Sequence, residues 1–257
     1  MNRQNNHSKF LRPGVSVICS TNRPDFIKQL LANYQRQTYV PRELIIVLNN
    51  NAINLREWRL KTAQFPDIQV YQLDEQINLG ECLNYAIEKS NLDYIANFND
   101  DDYYGSPYLD HAMAAFTYTD ADIVGKGSMY VYFKASKKLV NMWPDRENCY
   151  VQAVAGATLV FKKEVFEKVR FPDLNSGEDP HFNFECFRRG YKIYATDRFN
   201  YVYIRDENPD NHTWNIKDDQ LIQCCLFVSH TDDYITPTTF IGPYTSPDFY
   251  LSRYRLR

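Results

Sequence analysis

The strongest constraint on this chain is an alternation that fills its first hundred residues. Short apolar β-type runs are separated by stretches with one apolar helical face. Val15-Ser16-Val17-Ile18-Cys19, Leu44-Ile45-Ile46-Val47-Leu48, residues 68–73 and Tyr94-Ile95-Ala96-Asn97-Phe98 read as buried strands. After the first of these, Asn22-Arg23-Pro24-Asp25 breaks the strand and opens a helix. Phe26, Leu30 and Tyr34 then recur every four residues, with Ile27 and Leu31 beside them. Residues 55–65 read as a second helix, and Leu83, Ala86 and Ile87 mark a third. This order predicts an α/β fold, a parallel sheet wrapped by helices on both faces.

Ligands of such sheets bind beyond the carboxyl ends of the strands. Three polar clusters fall there: Ser20-Thr21-Asn22-Arg23, Asn49-Asn50-Asn51 and Asp100-Asp101-Asp102. Three adjacent carboxylates repel one another, and a divalent cation removes that repulsion. Hard oxygen ligands suit Mg²⁺ or Mn²⁺, which in turn hold phosphate oxygens. The plainer alternative is an acidic loop beside a helix N-terminus. Together the clusters describe a nucleotide site followed by a metal site.

The second half is less regular. Residues 123–124, 129–134 and 139–143 read as strands. Ala153-Val154-Ala155-Gly156-Ala157-Thr158 is small and apolar, which suits backbone lying against a ligand. Gly177-Glu178-Asp179-Pro180 opens a helix that runs to Arg189 and is closed by Gly190. Residues 191–195 and 201–204 complete the core as strands, and the pattern weakens beyond about residue 215. For 257 residues this predicts one domain, with a core over about 14–205 and a C-terminal extension over about 215–257.

A net charge of -3 argues against a general nucleic-acid binder. The six cysteines (19, 82, 149, 186, 224, 225) are scattered without a CxxC pair, as in a reduced compartment. The N-terminus is polar, and no stretch approaches the ~20 apolar residues of a membrane span. The expectation is a cytoplasmic protein.

The series Val15-Ser16-Val17-Ile18 with Asn22-Arg23, Glu43-Leu44-Ile45-Ile46-Val47, Asn78-Leu79-Gly80, Tyr94-Ile95-Ala96 before the acids, Gly156-Ala157 and Gly177-Glu178-Asp179 resembles family 2 glycosyltransferases of GT-A fold. The resemblance covers roughly residues 14–205 and implies a wound mixed sheet. More narrowly, Val15 to Asp25 and Thr196-Asp197-Arg198-Phe199-Asn200-Tyr201 resemble the glycosyltransferase domains of spore-maturation proteins of endospore-forming bacteria. That implies spore-surface or cell-envelope polysaccharide synthesis, in the mother-cell cytoplasm or at the spore surface.

The family implies roles for particular residues. Ser20, Thr21, Asn22, Arg23 and Asn49 would hold the nucleotide base, and Asp100 would face the ribose or sugar. Asp101 would bind the Mn²⁺ or Mg²⁺ that bridges the diphosphate, with Asp102 a further acid and His212 a metal or phosphate contact. Gly156, Ala157 and Glu178 would lie along the donor and acceptor sugars. Asp179 would be the general base that deprotonates an acceptor hydroxyl, contributing ~10²–10⁴-fold. A base on one face and a leaving group on the other imply inversion at the anomeric carbon. The implied partners are a nucleoside-diphosphate sugar, a UDP-sugar ahead of others, and a carbohydrate acceptor.

Each residue also has a plainer reading. Asp179 could cap its helix, Asn49 could be a turn residue, Arg23 a surface charge at a helix start, and His212 a surface histidine.

The chain departs from the family pattern in several places. The first loop is one residue shorter than usual and lacks a stacking tyrosine. Leu48-Asn49 replaces an Asp-Asp pair, and an amide, which both donates and accepts, predicts weaker discrimination among bases than a carboxylate. Leu83-Asn84 stands where an arginine is common. The Gln-x-x-Arg-Trp element of processive synthases is missing, which favours single-sugar transfer. Two rivals remain at this level. A nucleotidyltransferase would show a Gly-rich basic phosphate loop after the first strand, and this chain has none. A non-catalytic sugar-binding or scaffold module would explain the changes at Asn49 and Leu83, but not the retained Asp100, Asp101 and Asp179.

Overall fold

The computed structural model describes residues 12–208, 214 and 216–242. The elements in chain order are β1 (Val15–Thr21), α1 (Ile27–Gln35), β2 (Arg42–Leu48), α2 (Leu55–Thr62), β3 (Ile68–Gln72), α3 (Leu79–Lys89) and β4 (Tyr94–Asn97). They continue with β5 (Tyr103–Tyr104), α4 (Tyr108–Tyr118), β6 (Ile123–Gly125), β7 (Met129–Phe133), β8 (Lys138–Met142), β9 (Cys149–Val151) and β10 (Val160–Lys162). The last are α5 (Glu178–Arg188), β11 (Ile193–Ala195), β12 (Tyr201–Arg205), α6 (Asp218–Ile222) and β13 (Cys225–His230).

An eight-stranded mixed sheet runs β3-β2-β1-β4-β10-β6-β11-β9. Its first four strands are parallel, as the alternation predicts. The antiparallel β10 then separates β4 from β6. A five-stranded sheet, β13-β8-β7-β12-β5, is attached through the second half of the chain.

Strand periodicity divides the core. Val15, Val17, Cys19, Leu44 and Ile46 face α1 and α4, where they meet Ile27, Leu30, Tyr34 and Met113. Ile18, Ile45, Val47 and Ile95 face α3 and α5, where they meet Leu83, Ile87 and Phe182. Successive side chains of a strand point to opposite faces, so a run apolar at every position becomes a strand buried on both. Each fully buried Leu or Ile contributes about 1.5–3 kcal/mol. Cys19, Cys82 and Cys186 pack as buried thiols, while Cys149 and Cys224 are exposed and none is paired.

The first-half strands and helices lie where the sequence puts them, to within a few residues. Among the described residues no helix is long and apolar enough to cross a membrane.

Candidate active site

The strand ends gather the polar clusters. β4 stops at Asn97, and Phe98 stacks on Tyr104 with ring centroids 3.8 Å apart. The loop between them carries the three acids. Asp100 is buried and accepts hydrogen bonds from Thr21 Oγ1 and from Arg23 Nε (3.1 Å) and Nη2. Asp101 Oδ2 accepts from Arg23 Nη1 at 2.8 Å. The Arg23 guanidinium thus forks across both carboxylates. Burial and the neighbouring Asp101 charge push Asp100 above the ordinary carboxylate range, while Arg23 and Thr21 hold it back. Burial would pull Arg23 down, but the two carboxylates outweigh it and raise it.

Asp102 does not join this pair. The sequence predicts it as a further acid at the metal, yet it is fully buried behind the loop. Its oxygens accept from Tyr201 Oη (2.7 Å), Asn99 Nδ2 (3.1 Å) and Ile204 N (3.0 Å). A carboxylate desolvated this far needs such donors, and they occupy the lone pairs a cation would use. His212 lies outside the described residues.

The second loop lies against the first. Asn49 N donates to Thr21 O at 2.8 Å, and Asn50 Nδ2 donates to Asn22 O at 2.8 Å. Asn50 Oδ1 also accepts from Ala52 N at 2.8 Å, so Asn50 is the turn residue of the cluster. Asn49 Nδ2 donates to Asp74 O at 2.8 Å. The amide keeps a second N–H and its oxygen beyond that bond. Ser20 is half-buried beside Cys82. Leu83-Asn84 has a structural explanation: Asn84 is buried and exchanges hydrogen bonds with the backbone of Phe171, at 2.9 and 3.0 Å.

On the other side of the β4 end sit Gly156 and Asp179. Asn97 Nδ2 donates to Gly156 O at 3.0 Å, and Gly156 N donates to Asp179 Oδ2 at 3.0 Å. A Cβ on Gly156 would stand 2.3 Å from that same Oδ2, so only glycine lets the backbone approach this closely. Ala157 O accepts from Tyr104 Oη at 2.6 Å. Asn183 holds the base of the arrangement, bonding the backbone of Val154 and the carbonyl of Asp179. Asp179 is half-buried, and its carboxyl is pushed up by burial, against the pull of backbone N–H groups. Glu178 is pushed up to about 7 by burial and by the Asp179 charge. One strand end therefore separates an Arg-clamped acid pair from a half-buried carboxylate.

Several supporting residues were not visible as site residues. Gln29 Nε2 donates to the carbonyls of Asp101 (2.5 Å) and Asp102 (2.9 Å). Asn33 donates to Asp102 O at 2.7 Å and accepts from Tyr104 N at 3.2 Å. Gln37 donates to Gly105 O at 2.9 Å and accepts from Leu109 N at 3.1 Å. These amides recur every four residues along and just past α1, a polar stripe beside its apolar one. That stripe is the signal from which they could have been found.

Among the described residues no cluster of three or more His, Cys, Asp or Glu could hold a metal by itself. The donor set still fits one. A diphosphate-bound Mg²⁺ takes one or two carboxylates, substrate phosphates and water, with no all-protein cage. Asp101 is the accessible carboxylate, and the guanidinium already standing against it marks the place as one built for positive charge.

A wound sheet with its acids and a glycine-backed carboxylate at one strand end is the arrangement of a GT-A nucleotide-sugar fold. The family model described as glycosyl transferase family 2 matches residues 16–170, more than half of the chain, and the protein belongs to that family. No curated protein matches it significantly. Among solved structures, S. aureus TarS 1-349 in complex with UDP-GlcNAc is similar at 17% identity and a TM-score of 0.61, over 79% of this chain and 61% of that one. The mannosyltransferase PcManGT from Pyrobaculum calidifontis, in complex with GDP-Man and Mn²⁺, is similar at 17% identity and a TM-score of 0.57, over 76% and 57%. The chain spans about three fifths of the length of these structures.

Proposed function

We propose that this protein transfers a single sugar, with inversion, from a nucleoside-diphosphate sugar to a carbohydrate hydroxyl, and that the reaction depends on a divalent cation. The observation that carries this reading is the hydrogen-bond path Asn97–Gly156–Asp179, which holds the Asp179 carboxyl beside the strand whose next loop carries Asp100 and Asp101. Asp101 would hold Mn²⁺ or Mg²⁺ together with the diphosphate. The bound cation would supply electrostatic stabilisation of the departing nucleoside diphosphate.

The chain's own residues do the rest. Thr21, Asn22 and Asn49 would line the loops that face the base, where the Asn49 amide can both accept and donate. UDP-sugars come ahead of others because that amide can accept from the uracil N3–H. Asp179 keeps one oxygen on Gly156 N and turns the other to the acceptor hydroxyl, whose proton it takes. Gly156, Ala157 and Glu178 lie along the sugars. PcManGT, which binds GDP-Man with Mn²⁺, and TarS, which binds UDP-GlcNAc, support the donor class. The narrower sequence resemblance supports a role in spore-surface or cell-envelope polysaccharide synthesis, performed from the cytoplasm.

Calorimetry with UDP-, GDP-, dTDP- and CDP-sugars and Mn²⁺ tests the reading. Cation-dependent binding of one of them is expected. Asp179→Asn should keep that affinity and lose transfer. A product of retained anomeric configuration would sink the inverting mechanism. Absence of any nucleotide binding would leave only a sugar-binding or scaffold module.

A further inference from the structure

Two buried or nearly buried carboxylates meet at the end of β4. The Asp100 side chain is 4% exposed and that of Asp101 is 14%. At that depth their mutual repulsion must be answered by a cation. The chain carries one of its own. Arg23 Nε and Nη2 engage both oxygens of Asp100, and Nη1 takes Asp101 Oδ2 at 2.8 Å. The guanidinium also lies 4.3 Å over the Phe26 ring. A divalent ion arriving from solvent would find Asp100 already accepting three hydrogen bonds from Arg23 and Thr21, and Asp101 Oδ2 held by Arg23.

We propose that Arg23 is a built-in placeholder that closes Asp101 to divalent metal until a nucleoside diphosphate draws the guanidinium away. The inference rests on the metal-assisted reading above. Phosphate is a partner Arg23 can exchange to, because a guanidinium fork matches phosphate oxygens in a bidentate way. Arg23 stands in the loop after β1, where the nucleotide is placed. When its Nη1 turns to phosphate, Asp101 Oδ2 is returned with its lone pairs free. One freed carboxylate is enough for a cation that brings phosphate and water as its other ligands. Metal and nucleotide then bind as a linked pair, each raising the affinity of the other by the same factor. Arg23 acts on the metal through Asp101 and on the nucleotide directly.

The test reads metal binding, not turnover. Mn²⁺ is titrated into the full chain and followed by loss of the free-Mn²⁺ electron paramagnetic resonance signal, with and without UDP or GDP. The parent should bind Mn²⁺ tightly only with nucleotide. Arg23→Met should bind Mn²⁺ alone roughly 5–150-fold more tightly than the parent, the usual range of coupling between linked sites. It should also lose most of the enhancement by nucleotide. Arg23→Lys keeps the charge but cannot fork, and should fall between; it alone decides if Arg23→Met proves unfolded by circular dichroism. If these variants leave nucleotide-free Mn²⁺ affinity unchanged while the parent still binds Mn²⁺ with nucleotide, the placeholder is overturned and metal-assisted transfer stands. Tight Mn²⁺ binding by the nucleotide-free parent overturns the placeholder as well. If the parent binds no Mn²⁺ with either nucleotide, both readings fall.

Discussion

Glu178 and Asp179 are adjacent, half-buried acids with unequal tasks. Burial raises both and backbone N–H groups hold both back, but Glu178 also has the Asp179 charge against it and is pushed up to about 7. A raised carboxylate means that the folded protein holds its proton more tightly than the unfolded chain does. Stability from this group is then complete below about 4.5 and is lost as pH rises towards about 7. Glu178→Gln should remove that loss, flattening the pH dependence by on the order of 1–3 kcal/mol. Urea unfolding at pH 5 and pH 8, parent against variant, measures it; equal slopes would show that Glu178 is solvated. Asn49 yields a second prediction. One Asn49 N–H bonds Asp74 O, and the amide keeps a second N–H and its oxygen. Discrimination between UDP and CDP should therefore be weak, and Asn49→Asp should shift preference toward UDP by ~1–3 kcal/mol. An unchanged UDP:CDP ratio by calorimetry would reduce Asn49 to a turn residue.

Among the elements, the short turn at Gly156–Thr158 sets the position of the Asp179 carboxyl. Gly156→Ala puts a methyl group within 2.5 Å of three side-chain atoms of Asp179, so the carboxyl must swing or the turn must shift. The expected result is a stability loss of ~1–3 kcal/mol from overpacking and a fall in kcat with nucleotide affinity kept. Steady-state kinetics beside nucleotide titration would check it, and a loss confined to affinity would place Gly156 on the donor side. The elements also show what was legible. β1 to β4 and their helices announce themselves because β1, β2 and β4 hold short apolar runs, β3 alternates through Ile68 and Val70, and each helix shows one stripe. α4 gave no narrow stripe: Tyr108, Leu109, His111, Ala112, Met113 and Ala115 are buried over a wide arc, which blurs the helical period. β10 is three residues long, too short to show alternation, although it turns a parallel sheet into a mixed one. β13 lay in the extension where the pattern was weak; its Leu226, Phe227 and Val228 are exposed, so no buried face marks it. At the site, the acids, Arg23, Gly156 and Asp179 were legible by position. The buried role of Asp102 was not, because two of its three donors, Tyr201 and Ile204, lie about a hundred residues away.

For the whole molecule, Asp102 is the joint. It ties the loop after β4 in the eight-stranded sheet to Tyr201 and Ile204 of β12 in the five-stranded one. Tyr104 reinforces the same seam, stacked on Phe98 and paired across β5 to Tyr201. Tyr201→Phe should cost ~1–3 kcal/mol by leaving a buried carboxylate short of one donor. It should weaken nucleotide binding as well, since Asp100 and Asp101 ride on the same loop. Chemical unfolding and calorimetry on one preparation would show both losses, and destabilisation without loss of affinity would separate the joint from the site. The joint also bears on how the protein is made. The residues matched by the family model end at 170, yet the acid loop is held from 201 and 204. A nascent chain therefore carries its acids long before it can set them. A fragment ending at residue 195 is expected to bind neither UDP nor Mn²⁺, because it lacks the Tyr201 and Ile204 donors that set the acid loop.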